Sequence, residues 1–241
     1  MDLIKDNIPE IRFLYDMKDF LYDQQWLSSA PNFEVYYMYR NLAKNEKDKK
    51  IIAEKKLRYD ITVMPPQMLG AEFPKTIGHE HPKINNSPFT YTEIYEVLKG
   101  EAHYLLQKFE NNQVIDVYVV KTKAGEKCLV PPNYGHVTIN ASDQELMMAN
   151  WVSADFKSDY SLFQQKHGAC YYALATDNRR KIQWVENKNY KQSSELKIYN
   201  AQDFNYLFER FDLDTTNPLY DLVNEINKLN FLQNPQVYKW D

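Results

Sequence analysis

From Tyr59 to Val152 the sequence is a succession of short β-prone runs, and no amphipathic helical pattern comes between them. The runs are "YDITVM" (59–64), "EIYEVL" (93–98), "AHYLLQKF" (102–109), "VIDVYVVK" (114–121), "KCLV" (127–130), "HVTIN" (136–140) and "ELMMANWV" (145–152). All are rich in β-branched, aromatic or large apolar residues. Turn residues separate them: Gly100, "ENNQ" at 110–113, "AGEK" at 124–127, "PPNYG" at 131–135 and "ASDQ" at 141–144. Many short strands at spacings of about ten residues predict an antiparallel sandwich or barrel. A parallel α/β sheet does not fit, because parallel strands need long crossovers, usually helical. "ACYYALA" (169–175) and "KIQWVE" (181–186) predict two further strands.

Three regions are expected. Residues 1–57 form a mixed, partly helical N-terminal extension packed on the barrel, in which "EVYYMYRNLA" (34–43) reads as a strand or a helix start. Residues 58–176 form the barrel. Residues 177–241 form a C-terminal strand and helical extension. There "NPLYDLVNEINKLN" places Pro218 near a helix start, and Leu219, Leu222, Val223, Ile226 and Leu229 follow at helical spacing. That predicts an amphipathic helix lying on the barrel.

Charge and composition narrow the partners. The formal net charge is −4 over 241 residues, which argues against a general nucleic-acid binder. The lysines at 47, 49, 50, 55 and 56 are interleaved with Glu46, Asp48 and Glu54 and read as a solvated face. No apolar run approaches the roughly 20 residues of a membrane helix, and "MDLIKDNIPE" lacks the apolar core of a secretory signal. Two cysteines, Cys128 and Cys170, make no disulfide framework. A reduced cytoplasmic protein is expected.

Five histidines are present, and two of them, His79 and His81, stand one residue apart. On a strand, residues i and i+2 share a face, so both imidazoles project together as a chelating pair for a divalent transition metal. Glu93 opens the next run, with Tyr95 and Val97 on its face. His136 follows the turn "VPPNYG" and is the natural fourth ligand. Three nitrogens and one oxygen suit Fe²⁺, Mn²⁺, Zn²⁺ or Ni²⁺ with room left for a substrate. His103 and His167 read as ordinary packed or exposed residues.

Gly78 to Gly100 reads G-H-x-H-x11-E-x6-G, and Gly125 to Asn140 reads G-x5-P-x4-H-x3-N. These resemble the two signature motifs of the cupin superfamily, which implies a double-stranded β-helix (jelly-roll) barrel with His79, His81, Glu93 and His136 on one metal. The intact E-x6-G spacing favours Glu93 over Glu96, and Pro82–Thr92 reads as an inserted loop. Further stretches, "DITVMPPQMLGAEFPKTIGHEH", "EIYEVLKGEAHYLLQ", "VPPNYGHVTIN", "ADFKSDY" and "LYDMKDFLYD", resemble the cupin-type glucose-6-phosphate isomerases of archaea and some bacteria. The resemblance covers residues 12–168.

That resemblance implies interconversion of glucose 6-phosphate and fructose 6-phosphate with one divalent transition metal per chain, Fe²⁺ foremost. It assigns Tyr36, Thr62, Thr76 and Gly78 to the sugar phosphate, and Tyr95 and Tyr160 to the cavity wall beside Glu93. It also implies a homodimer. Val152 stands where the archaeal enzymes carry a cavity tyrosine, and Ser158 where they carry a histidine. Lys75 and Lys83 flank the motif and are candidates for electrostatic help. The competing readings are another cupin sugar-phosphate isomerase, an Fe²⁺ oxygenase, and a sugar-phosphate-binding cupin without turnover. Proton transfer through a cis-enediol with Glu93 as base and a metal-assisted hydride shift both fit the residues.

Overall fold

The computed structural model describes residues 2–176 and 181–240. The boundary expected after residue 176 abuts residues 177–180, which lie outside the described residues. Twelve strands are present among those described: β1 (Glu10–Phe13), β2 (Glu34–Tyr39), β3 (Leu57–Met64), β4 (Glu93–Lys99), β5 (Glu101–Glu110), β6 (Gln113–Lys123), β7 (Lys127–Val130), β8 (Gly135–Asn140), β9 (Leu146–Ser153), β10 (Tyr171–Thr176), β11 (Lys181–Glu186) and β12 (Lys197–Asn200). Each run singled out from residue 59 onward has its strand. "EVYYMY" is β2, and β1 and β12 are additions to the reading of the sequence.

A six-stranded sheet in the order β1-β2-β3-β9-β4-β7 faces a four-stranded sheet in the order β12-β6-β5-β8, and β10 pairs with β11. Only β12 and β6 run parallel. From β6 to β9 the chain alternates between the two sheets, as in a jelly-roll barrel. Alternation along β3 shows how the sequence fixes the faces. Tyr59, Ile61 and Val63 point outward into one apolar cluster, and Arg58, Asp60 and Thr62 point inward. Inside, Val97, Tyr104, Leu106, Val120 and Met148 fill the space between the sheets, while Leu105, Val117 and Val137 pack on the other face of the four-stranded sheet. Cys128 and Cys170 are buried and unbonded to each other.

The outer face of the six-stranded sheet is covered by the C-terminal segment. Leu219 to Leu232 is helical, as expected, but of the 3₁₀ type, and it is interrupted at Glu225 (φ −126°, ψ 40°). Leu219 and Leu222, then Ile226, Leu229 and Leu232, recur every third residue, the period of a 3₁₀ turn, and the break at Glu225 shifts the register by one. Tyr59, Ile94 and Trp151 pack beneath this segment. Trp151 Nε1 donates to the Leu219 carbonyl at 2.9 Å, and Leu219 N–H donates to Glu96 Oε2 at 2.8 Å. Among the described residues no helix is long and apolar enough to cross a membrane.

Candidate active site

The segment from Lys75 to Glu80 is extended but makes only isolated bridges. His79 N–H donates to the His136 carbonyl at 3.1 Å and His136 N–H returns the bond to His79 at 3.0 Å. Thr76 N–H donates to the Thr138 carbonyl at 2.9 Å, and Thr138 N–H donates to the Thr76 side chain. A full strand is prevented by Pro74, by Pro82 and by Gly78, whose φ of +78° breaks the ladder. Gly78 is also fixed by packing, since a Cβ there would lie 2.4 Å from Val137 Cγ2 and 2.8 Å from Phe163 Cδ1.

This bridge lays His79 against the start of β8, with the two histidine rings 4.4 Å apart. His81 follows two residues on, and Glu93 begins β4. The ligand atoms of His79, His81, Glu93 and His136 all lie within 4.8 Å of one another. His79 Nε2 is 3.2 Å from His81 Nε2, and Glu93 Oε2 is 3.3 Å from His81 Nε2 and 3.4 Å from His136 Nε2. Ligands held about 2.1 Å from one ion are separated by roughly 3.0–3.4 Å in octahedral or tetrahedral sets, so the donor set fits a divalent transition metal. Glu93 Oε2 is buried and accepts no directed hydrogen bond, as a ligand oxygen requires. His81 Nδ1 lies 3.0 Å from the Tyr91 carbonyl, an arrangement that puts the proton on Nδ1 and leaves Nε2 free as a ligand.

Electrostatics point the same way. Burial, followed by the neighbouring imidazoles, holds His79 well below the usual histidine range, and burial likewise lowers His136. Both are therefore neutral, the form that ligates metal. Burial alone would raise the Glu93 carboxyl; the close imidazoles of His136 and His81 outweigh it and keep the group well below the carboxylate range. Asn150 Nδ2 donates to Glu93 Oε1 at 2.7 Å and fixes the carboxylate.

His79, His81 and Glu93 line a cavity of about 510 Å³, and His136 is buried against them. Tyr36, Thr62, Thr76, Gly78, Tyr95 and Tyr160 line the same cavity. Tyr95 Oη is 3.1 Å from His136 Nε2, and burial, then the Glu93 charge, raises it so that it stays a phenol. The Tyr160 ring stands 5.6 Å from that of His79. Thr76 Oγ1 accepts from Thr138 N–H at 3.0 Å, which leaves its hydroxyl hydrogen for a ligand. Gly78 N–H has no protein acceptor among the described residues. Val152 and Ser158 are both at the cavity.

Some expectations fall elsewhere. Lys75 is buried against Glu72 and the Phe20 carbonyl, and Lys83 faces a different cleft, so neither lines the cavity. Glu96 points to the outer face and ties down the C-terminal segment. Arg40, Arg58, Asn150 and Phe156 line the cavity without having been singled out from the sequence. The signal for Arg58 is in β3 itself: Arg58, Asp60 and Thr62 alternate with large apolar residues on an otherwise core strand. Phe156 packs on His81 at 4.6 Å and stacks with Tyr91 at 4.7 Å.

The sequence has relatives among known proteins. The chain is 26% identical over 182 residues to a glucose-6-phosphate isomerase of Pyrococcus furiosus, covering 76% of this chain and 88% of that one. It is 30% identical over 167 residues to the glucose-6-phosphate isomerase of Thermococcus litoralis, covering 68% and 80%. Among solved structures, an oxalate oxidase aligns at 19% identity with a TM-score of 0.38, over 55% of this chain and 57% of that chain. The family model described as "Glucose-6-phosphate isomerase (GPI)" matches residues 12–193, about three quarters of the sequence, and the chain belongs to that family of isomerases.

Proposed function

We propose that the protein is a metal-dependent aldose–ketose isomerase that interconverts D-glucose 6-phosphate and D-fructose 6-phosphate. The observation that carries this reading is the convergence of His79, His81, Glu93 and His136 within 4.8 Å, beside a cavity that gathers the first three together with Tyr36, Thr62, Thr76 and Gly78. One divalent transition metal, Fe²⁺ in first place, is held by these four residues. Once bound, it supplies Lewis-acid polarisation of the substrate carbonyl.

The chain's own residues do the rest. The hydroxyls of Tyr36, Thr62 and Thr76 and the Gly78 N–H hold the phosphate, whose binding energy orients the open-chain sugar. Glu93, fixed by Asn150, removes the proton from C2 while O1 gains one, which gives the cis-enediol. The proton then returns to C1 as O2 loses its own, and the ketose results. The hydroxyls of Tyr95 and Tyr160, beside the imidazoles, donate to the sugar oxygens. Phe156 and Tyr91 cover His81 and exclude water from that side. The functional unit is a homodimer in the cytoplasm, and light scattering that returned the mass of one chain would remove the dimer from this reading.

The test is a coupled assay on metal-stripped protein given fructose 6-phosphate and then Fe²⁺, Mn²⁺, Zn²⁺ or Ni²⁺ in turn. Turnover that depends on metal and disappears in His136→Ala is the expected result. Stoichiometric metal binding with no turnover for any metal would instead favour a sugar-phosphate-binding protein. Run in D₂O, proton transfer places solvent deuterium on the product carbon, whereas complete retention of the original hydrogen would replace Glu93's role by a hydride shift.

A further inference from the structure

Asp60 is fully buried on β3 behind the cavity lining, and two guanidinium groups converge on one of its oxygens. Arg40 Nη1 lies 2.9 Å and Arg58 Nε 2.7 Å from Asp60 Oδ2, while Asn41 N–H takes Oδ1 at 2.9 Å. The two arginine side chains remain 28% and 24% exposed, and both line the cavity. With Lys157 on the same lining, three cations stand against Asp60 and Glu10 and leave a net positive charge beside the metal group. Donors are left over on Arg58. Arg40 spends its remaining nitrogens on Met38 Sδ at 3.0 Å and on the exposed Glu10 at 3.7 Å. Arg58 uses only Nε, so its two terminal amino groups have no protein partner among the described residues.

Register places this pair usefully. Asp60 opposes Asn150, which opposes Tyr95; Arg58 opposes Val152, which opposes Glu93. With strands about 4.8 Å apart, Arg58 therefore stands roughly 10 Å from the Glu93 backbone. That matches the reach of a six-carbon chain whose first two carbons meet the metal group. Thr62 is the next inward residue beyond Asp60, and Arg40 folds back over Met38, directly opposite Thr62. Val152 is small enough to leave the space beside Arg58 open.

The geometry points to Arg40 and Arg58, posted on Asp60, as a guanidinium clamp that takes the phosphate of the substrate from the side opposite Thr76 and Gly78. It deepens the isomerase reading and rests on it for the identity of the sugar. The reason is charge: Tyr36, Thr62, Thr76 and the Gly78 amide are neutral donors, and a phosphate dianion in a half-buried cavity needs cations. Guanidinium forks match phosphate oxygens in geometry and charge. Asp60 holds both forks in place before the ligand arrives, so little side-chain entropy is lost on binding.

The test is calorimetric titration of the metal-loaded protein with inorganic phosphate and with fructose 6-phosphate, for wild type, Arg58→Met and Arg40→Met. In each single variant Asp60 keeps one arginine and the Asn41 amide. Loss of a charge-assisted contact should weaken phosphate binding about tenfold or more in each. KM for fructose 6-phosphate should rise with kcat largely kept, and unphosphorylated fructose should bind as before. Phosphate affinity equal to wild type in both folded variants overturns the clamp. Should the methionine variants not fold, the wild-type protein still decides: phosphate should slow modification of Arg58 by a dicarbonyl arginine reagent, located by mass spectrometry, and equal modification with and without phosphate overturns it. Arginine-dependent phosphate binding without any turnover of fructose 6-phosphate would keep the clamp and remove the isomerase; turnover with unchanged KM in both variants would do the reverse.

Discussion

Gly78 shows how much one residue can settle. Its φ of +78° and the 2.4 Å approach of Val137 to any Cβ combine to turn the chain so that Thr76 faces β8 and His79 faces the metal group. Gly78→Ala should destabilise the fold by at least about 2 kcal/mol and abolish isomerisation, measured by thermal denaturation alongside the coupled assay. A second residue-scale prediction concerns Glu101, whose Oε1 is 3.0 Å from His103 Nε2. The His103 hydrogen bond, opposed by partial burial, keeps this carboxyl below its usual value. A folded value below the unfolded one means that the contribution is complete above the ordinary carboxylate range, about pH 4.3, and is lost as pH falls through the folded value. The site is one-third exposed, so screening limits the effect to under about 1 kcal/mol. The melting-temperature gap between wild type and Glu101→Gln should be positive at pH 6 and close as the pH drops below about 4; a gap independent of pH would contradict this. At this scale the metal donors were legible from the sequence, because His79, His81, Glu93 and His136 sit at fixed spacing in two local motifs. Arg40 was not, because what turns it to the cavity is its tie to Asp60 on the neighbouring strand, which no local spacing records; Arg58 showed only as a charged residue alternating on a core strand.

Elements were legible in proportion to their alternation. The runs from residue 59 to 152 carry period-two patterns bounded by turn residues, and each became a strand. The edges were harder to see. β1 and β12 have four residues each and half-exposed faces, so their own sequences carry little signal, and partners made them strands. The C-terminal segment was read correctly as apolar on one side. Its 3₁₀ winding follows from a three-residue recurrence that a 3.6-residue period blurs. Its task is to cap the outer face of the six-stranded sheet, where Leu229 is 1% exposed. Leu229→Ala should cost about 2–4 kcal/mol by urea denaturation while the activity per folded molecule stays close to wild type, because the segment and the cavity lie on opposite faces of the sheet. A specific loss of kcat without loss of stability would contradict that separation.

For the molecule as a whole, the metal group joins parts that are distant in sequence: the extended stretch at 79–81, the start of β4 and the start of β8. On the reading proposed above, a bound ion therefore stabilises the native state by mass action, roughly 4 kcal/mol at a thousandfold excess over its dissociation constant. Chelation should lower the melting temperature by several degrees, and re-addition of the metal should restore it. A melting temperature indifferent to chelator would contradict metal binding at this site. The loop between two of these donors has a consequence of its own. Pro82–Thr92 leaves the barrel as a small hairpin with Asn86 at its tip (φ 60°), and it is tied back by the exchange between Thr90 and Asn133. His81 stands immediately before it and Glu93 immediately after. An ion gripped from both sides would act on this stretch as a clasp acts on a bracelet, closing a short ring whose ends could otherwise drift apart. The exposed asparagines at its tip then become a sensor of occupancy: limited proteolysis should nick the chain between residues 83 and 90 faster in the stripped protein than in the loaded one, so that a gel could report how much of a preparation carries its metal.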